Sequence, residues 1–245
     1  MEAPERSFDR IAENYEQLRP DYPQAVLGGL PVSAEATVLD VGAGTGKLTR
    51  VLARRYATVI AVEPLDGMRS VLERVLLGVD SRAGSAEELP VADGTVDAAF
   101  AGQAFHWFDH ERAVPELARV LRPGGVLALV WNSGDEARAT PLPPAFAEYV
   151  ETLHAVGLKR FDDAPPWQDV IRRGPFGEVR EYAVPHDHVL DRVGAVDSMC
   201  TASWIASRPE PERVEIRARL LELLPEERIY AIPNLANVMW AVRDR

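Results

Sequence analysis

Cysteine occurs once in 245 residues, at Cys200. A single thiol excludes an intrachain disulfide, a thiolate metal cluster and a dithiol redox pair, and reads as a buried, inert side chain. Lysine is nearly absent, with Lys47 and Lys159 the only two, and 38 acidic residues against 27 basic ones leave a net charge of −11. That sign repels the phosphate backbone that dominates nucleic-acid affinity, so no nucleic-acid partner is expected. No apolar run approaches the roughly 20 residues of a membrane-spanning helix. The opening stretch, MEAPERSFDRIAENYEQLRP, is charged and lacks the apolar segment of a secretory signal. The expectation is a cytoplasmic protein with no membrane partner. His186 and His188 alternate along an expected strand and would share a face, but two ligands without a third or fourth make no zinc site, and no metal is expected.

What is present is an alternating pattern. Short apolar runs at 38–41, 58–63, 96–101 and 126–131 are separated by helical periodicity at 48–55, 66–77 and 113–121. Strands that are apolar throughout, with amphipathic helices between them, imply a parallel sheet covered on both faces. Beyond Trp131 the rhythm changes, with Pro141, Pro143, Pro144, Pro165 and Pro166 around a helical stretch at 146–156. Alternation returns at 178–184, helices are expected at 192–206 and 210–224, and a last strand within 228–243. The fold class is therefore α/β: a doubly wound, mostly parallel sheet in a single domain spanning 1–245. Its core lies at 36–132, with N-terminal cap helices at 1–30 and inserted helical caps at 133–175 and 190–224.

The segment VLDVGAGTGKLT at 38–49 runs from a strand through Gly42, Ala43, Gly44 and Gly46 into a helix. Glycine is needed where the backbone takes positive φ or lets a ligand approach closer than a Cβ permits. A phosphate-binding P-loop needs GxxxxGK followed by Ser or Thr, whereas Lys47 precedes Leu48 and position 41 is Val. The dinucleotide fingerprint GxGxxG would need glycine where Lys47 stands. What remains, GxGxG with Asp40 two positions earlier, resembles the first motif of class I methyltransferases that use S-adenosylmethionine (SAM). Specific similarity runs from about residue 8 to 132, and includes Gly84-Ser85-Ala86-Glu87-Glu88-Leu89-Pro90 followed by Asp93 and Asp97. At the front, Phe8-Asp9-Arg10, Ala12, Tyr15 and Arg19-Pro20-Asp21-Tyr22-Pro23 look like the cap helix of small-molecule members, including relatives of trans-aconitate methyltransferase.

The resemblance implies a seven-stranded Rossmann-like sheet and SAM as cofactor. It implies that Asp40 meets the cofactor's ammonium, that backbone N–H groups of the glycine turn meet its carboxylate, and that Glu63, followed by Pro64, accepts the ribose hydroxyls. Met68, Ser85, Ala86 and Glu87 would edge the adenine, and Tyr15 or Arg19 would touch the methionyl end, with Phe8 and Tyr22 toward the acceptor.

After the fourth strand comes Gly102-Gln103-Ala104-Phe105-His106-Trp107-Phe108-Asp109. In open α/β sheets the ligand lies beyond the carboxyl ends of the strands, so this run brings an amide, Gln103, to the cofactor side and aromatics to the acceptor side. His106 is the candidate general base, since imidazole titrates near neutrality; the alternative reading is that it orients the cofactor or caps the next helix, and a carboxylate acceptor needs no base. Phe105, Trp107 and Trp131 are expected to wall an apolar acceptor site. The reaction read from this is methyl transfer from SAM to an O, N or carboxylate centre of a small molecule, by in-line displacement with water excluded. Aminopropyl transfer from decarboxylated SAM, or non-catalytic SAM binding, would use the same fold.

Overall fold

The computed structural model describes residues 12–156, 166–225 and 228–244. Seven strands form one sheet: β1 (Thr37–Val41), β2 (Thr58–Val62), β3 (Asp80–Arg82), β4 (Val96–Gly102), β5 (Leu121–Gly134), β6 (Arg180–Leu190) and β7 (Tyr230–Val242), in the order β3-β2-β1-β4-β5-β7-β6. The registers from β3 through β5 are parallel, with Leu39 opposite both Ile60 and Ala99. The order runs outward from β1 to β3 and then restarts at β4 on the other side of β1. A doubly wound sheet opens a crevice at such a reversal, beyond the strand ends.

Side-chain alternation explains why β1, β2 and β4 are largely apolar on both faces. Leu39, Val41, Ile60, Val62, Ala99 and Leu127 belong to one core, while Val38, Val59, Ala98, Phe100, Val126 and Ala128 belong to a second. Successive residues therefore feed opposite faces, and both are buried. The helices are α1 (Ala12–Leu18), α2 (Lys47–Ala53), α3 (Asp66–Val75), α4 (His110–Val120), α5 (Pro144–Val156), α6 (Trp167–Arg172), α7 (Arg192–Cys200), α8 (Ser203–Ala206) and α9 (Glu210–Leu223). A short 3-10 turn covers Phe105–Trp107.

Some elements differ from the sequence expectation. The single helix expected at 192–206 is two, α7 and α8, separated by Thr201 and Ala202. Strand β6 continues past Pro185 to Leu190; it is outermost in the sheet, where a missing N–H is tolerated. Pro123-Gly124-Gly125 lies between the helix expected at 113–121 and the strand expected at 126–131. It is the irregular start of β5, with Gly124 at φ +82° and a register shift between Val96 and Ala98 on β4.

The chain divides into two compact units. One comprises Asp21–Ser133, Ala164–Val184 and Ala236–Arg245 and holds both sheet cores. The other is drawn from Met1–Pro20, Gly134–Asp163 and Pro185–Leu235, with Phe146, Val196, Ile205, Ile216, Leu220 and Tyr230 at its centre. Within it α7 packs against α1 and α9. No described helix is long and apolar enough to cross a membrane.

Candidate active site

Strand β1 delivers the chain to the sheet edge, where Gly42, Gly44 and Gly46 take φ values of +68°, +59° and +92°. A Cβ on Gly42 would stand 2.7 Å from the Cβ of Ala104, and one on Gly46 would stand 2.8 Å from Leu76. Those two glycines close the turn against its neighbours. Gly44 differs, because a Cβ there would meet nothing within 4 Å, leaving the backbone open to whatever lies over the turn. The amides of Gly42 and Ala43 donate to the Val62 carbonyl at 2.9 and 3.1 Å, and that of Gly46 to Ala43 at 2.9 Å. Most of the turn's N–H groups are thus spent in shaping it.

Two carboxylates flank this turn. Asp40, fully buried, accepts from the Thr49 hydroxyl at 2.6 Å through Oδ2, while its Oδ1 has no hydrogen-bond partner among the described residues. Burial, with a smaller contribution from Glu63, pushes its pKa from 3.8 up to about 7. A buried acceptor without a donor is costly and marks a place for one. Glu63, just beyond β2, accepts from the Gly44 amide at 2.8 Å and from the Leu65 amide at 2.9 Å. It ties together the turns after β1 and β2, and a carboxylate oxygen can accept from more than one donor. Lys47, 7% exposed, reaches Asp21 at 2.9 Å, with Arg50 3.5 Å from the same oxygen.

At the end of β4, Gln103 sits at φ +51°, a left-handed conformation uncommon outside glycine. Its amide N–H donates to Val130 at 2.9 Å and its side chain to the Asn132 carbonyl at 3.2 Å, so the residue is stapled to β5 as the chain turns. The 3-10 turn that follows presents aromatic rings. Phe105 is buried, with its ring 4.5 Å from His110 and 5.5 Å from Trp167. His106, Trp107, Trp131 and Trp167 are half-buried. His106 lies 4.9 Å from Trp107 and parallel to Trp167 at 6.4 Å, and Trp131 meets Trp167 edge-on at 5.0 Å. Burial, helped by the neighbouring His110, pulls the His106 pKa from 6.5 down to about 4. Since Ala104 and Phe108 both lie against Gly42, the aromatic run abuts the glycine turn directly.

The remaining expected site residues fall as follows. Met68 and Ala86 are buried. Ser85 pairs with Glu88 in an isolated bridge, and Glu87 accepts from the Asp109 amide at 2.8 Å, anchoring the start of α4. Pro64 follows Glu63 in the turn between β2 and α3. Tyr22 is buried in the core that holds Val38 and Phe100. Tyr15 and Arg19 belong to the other unit, with the guanidinium 5.6 Å from the Tyr15 ring and donating to the Thr201 carbonyl at 2.9 Å. Phe8 lies outside the described residues. Two residues of this region were not anticipated: Thr49, whose place one helical turn past the glycines was a usable signal, and Trp167, which had none.

Residues 39–129 match the family model described as "Methyltransferase domain". An uncharacterised methyltransferase of Mycobacterium tuberculosis is 38% identical over 232 residues, covering 94% of this chain and 88% of the relative. A malonyl-[acyl-carrier protein] O-methyltransferase of Dechloromonas aromatica is 34% identical over 159 residues, 61% of this chain and 60% of the relative. A solved structure from Anaeromyxobacter dehalogenans superposes with a TM-score of 0.66 at 24% identity, covering 92% of this chain and 97% of that one. The chain belongs to the class I SAM-dependent methyltransferases. It is an enzyme, and SAM is its cofactor. The site suits that molecule on three counts: an orphaned buried carboxylate oxygen for an ammonium, a second carboxylate at the end of β2 as an acceptor for hydroxyls, and a glycine open to close approach.

Proposed function

We propose that this enzyme methylates a carboxylate oxygen of a small organic acid. The observation that carries the reading is the setting of His106: its ring is packed between Trp107 and Trp167, and the burial this brings pulls its pKa down to about 4, which makes it a weak proton acceptor at neutral pH. A general base works best with a pKa close to the operating pH. A carboxylate arrives already ionised and needs none. The partial similarity to a malonyl-[acyl-carrier protein] O-methyltransferase supports the same acceptor chemistry.

When bound, SAM supplies an electrophilic methyl group on a sulfonium. In this reading Asp40 accepts from its ammonium, Glu63 accepts from the ribose hydroxyls, and Gly44 allows close approach of the ligand to the backbone. Pro64, Met68, Ser85 and Ala86 border the adenine, and Glu87 holds that border against the start of α4. Gln103 fixes the turn by which His106, Trp107 and Trp131 reach the acceptor. The rings align the acceptor and exclude water, which is most of what an in-line displacement requires. In this reading the enzyme works in the cytoplasm on a small organic acid.

The test is incubation with labelled SAM and matched panels of carboxylic acids, phenols and amines. Methyl esters, identified by release of methanol in mild base, are expected, with a rate at saturating SAM that stays flat from pH 6 to 9. Transfer to phenols or amines with a rate rising through that range would overturn the carboxylate assignment.

A further inference from the structure

The aromatic run after β4 is completed by a residue from elsewhere in the chain. Trp167 opens α6, which lies within the sheet-bearing unit but outside the alternation of strands and helices that builds the sheet. Its indole meets Trp131 edge-on at 5.0 Å and Phe105 at 5.5 Å, and lies parallel to His106, 5° between planes. Trp167 is therefore the ring common to the side chains presented by the ends of β4 and β5. It is only half-buried, as are Trp107 and Trp131, so three indoles keep open surface next to a segment that itself touches Gly42.

We propose that Trp167 is a specificity-determining residue of the acceptor site, and that the acceptor is an acid whose carboxyl group is carried on a flat, π-bonded body. The proposal rests on the carboxylate reading above for the reacting group, but the role of Trp167 does not. Three features carry it. Indole rings have two side-chain torsions and hold their planes, unlike the deformable surface that Met or Leu would give. The planes here are fixed by mutual edge and face contacts, so the wall has a preferred orientation for one more ring or conjugated group. Edge-to-face and offset contacts favour such a body beyond the gain from burying equal area. A puckered, saturated body of the same size gains the burial alone.

The experiment compares benzoate with cyclohexanecarboxylate, both by calorimetric titration of the protein saturated with S-adenosylhomocysteine (SAH) and by methyl transfer from SAM. The wild type should favour benzoate by about fivefold or more. Trp167→Leu should bring the ratio close to one, Trp167→Phe should restore much of it, and SAH affinity and Tm should stay near wild type in both. An unchanged ratio in Trp167→Leu, or no saturable binding of benzoate at millimolar concentration, would overturn the proposal. Ring-selective binding that depends on Trp167, without ester formation, would refute the carboxylate assignment while leaving the role of Trp167 standing.

Discussion

Replacing Asp40 with Asn should stabilise the cofactor-free protein at pH 8 while weakening its hold on the cofactor. The carboxyl is fully buried and its pKa rises from 3.8 to about 7. Between those values the folded chain binds the proton more tightly than the unfolded chain does. Stability therefore falls as pH rises through that window, and the whole penalty is present above pH 7. A shift of about three units is worth about 4 kcal/mol at most. Asn is neutral at every pH, keeps the shape and keeps an acceptor for the Thr49 hydroxyl, but it turns N–H donors toward the place where an ammonium would sit. For a protein of this size, each kcal/mol moves Tm by about 2 to 4 °C. Scanning calorimetry from pH 5 to 8 should thus show the variant melting several degrees higher at pH 8, with the gap closing toward pH 5. Titration with SAH at pH 8 should show a loss of roughly 10- to 100-fold, the value of one charged hydrogen bond. A variant destabilised equally at both pH values, or one that binds SAH as well as the wild type, would refute the assignment of Asp40 to the ammonium.

Three further expectations separate folding roles from binding roles. Gly46→Ala forces a Cβ against Leu76 and Leu72 at φ +92° and should cost about 2 kcal/mol or more in urea unfolding; Gly44→Ala, with open space around it, should cost about 1 kcal/mol yet reduce SAH affinity more strongly. Asp21→Asn leaves the buried Lys47 ammonium without its carboxylate and should destabilise by about 2 kcal/mol, whereas Lys47→Met leaves only a 61%-exposed Asp21 side chain and should cost under about 1 kcal/mol; equal losses would show that the pair acts merely as a surface bridge. Glu63→Ala should weaken SAH binding by about 1.5 to 3 kcal/mol, since it removes a charged acceptor and frees the Gly44 and Leu65 amides; unchanged affinity would remove Glu63 from the ribose.

The sequence exposed those parts of the fold where periodicity is strong. Strands β1, β2 and β4 are short apolar runs beside punctuating glycines, and they lie where the pattern put them to within a residue. Strand β3 carried no such signal, because Asp80-Ser81-Arg82 is polar. It is held by its pairing to β2 and by Arg82, which grips Asp80 and donates to the Pro90 carbonyl at 2.7 Å. The glycine turn was legible as a local conformational demand. The state of His106 was not, since its displacement from neutrality comes from burial and from His110, and both are products of tertiary packing. Trp167 was invisible for the same reason: its contacts with Trp131 and His106 join segments that no local spacing relates.

The sheet order has a consequence for how the chain is made. Strand β7, which follows β6 in the chain, is not at an edge but between β5 and β6. Until it arrives, β6 has no neighbour to pair with and β5 presents an open row of amides and carbonyls, the kind of edge that recruits other chains. A nascent chain that has made β6 but not yet β7 is thus at its most adhesive. Removing residues 230–242 would leave β5 as the sheet's edge and strand β6 outright.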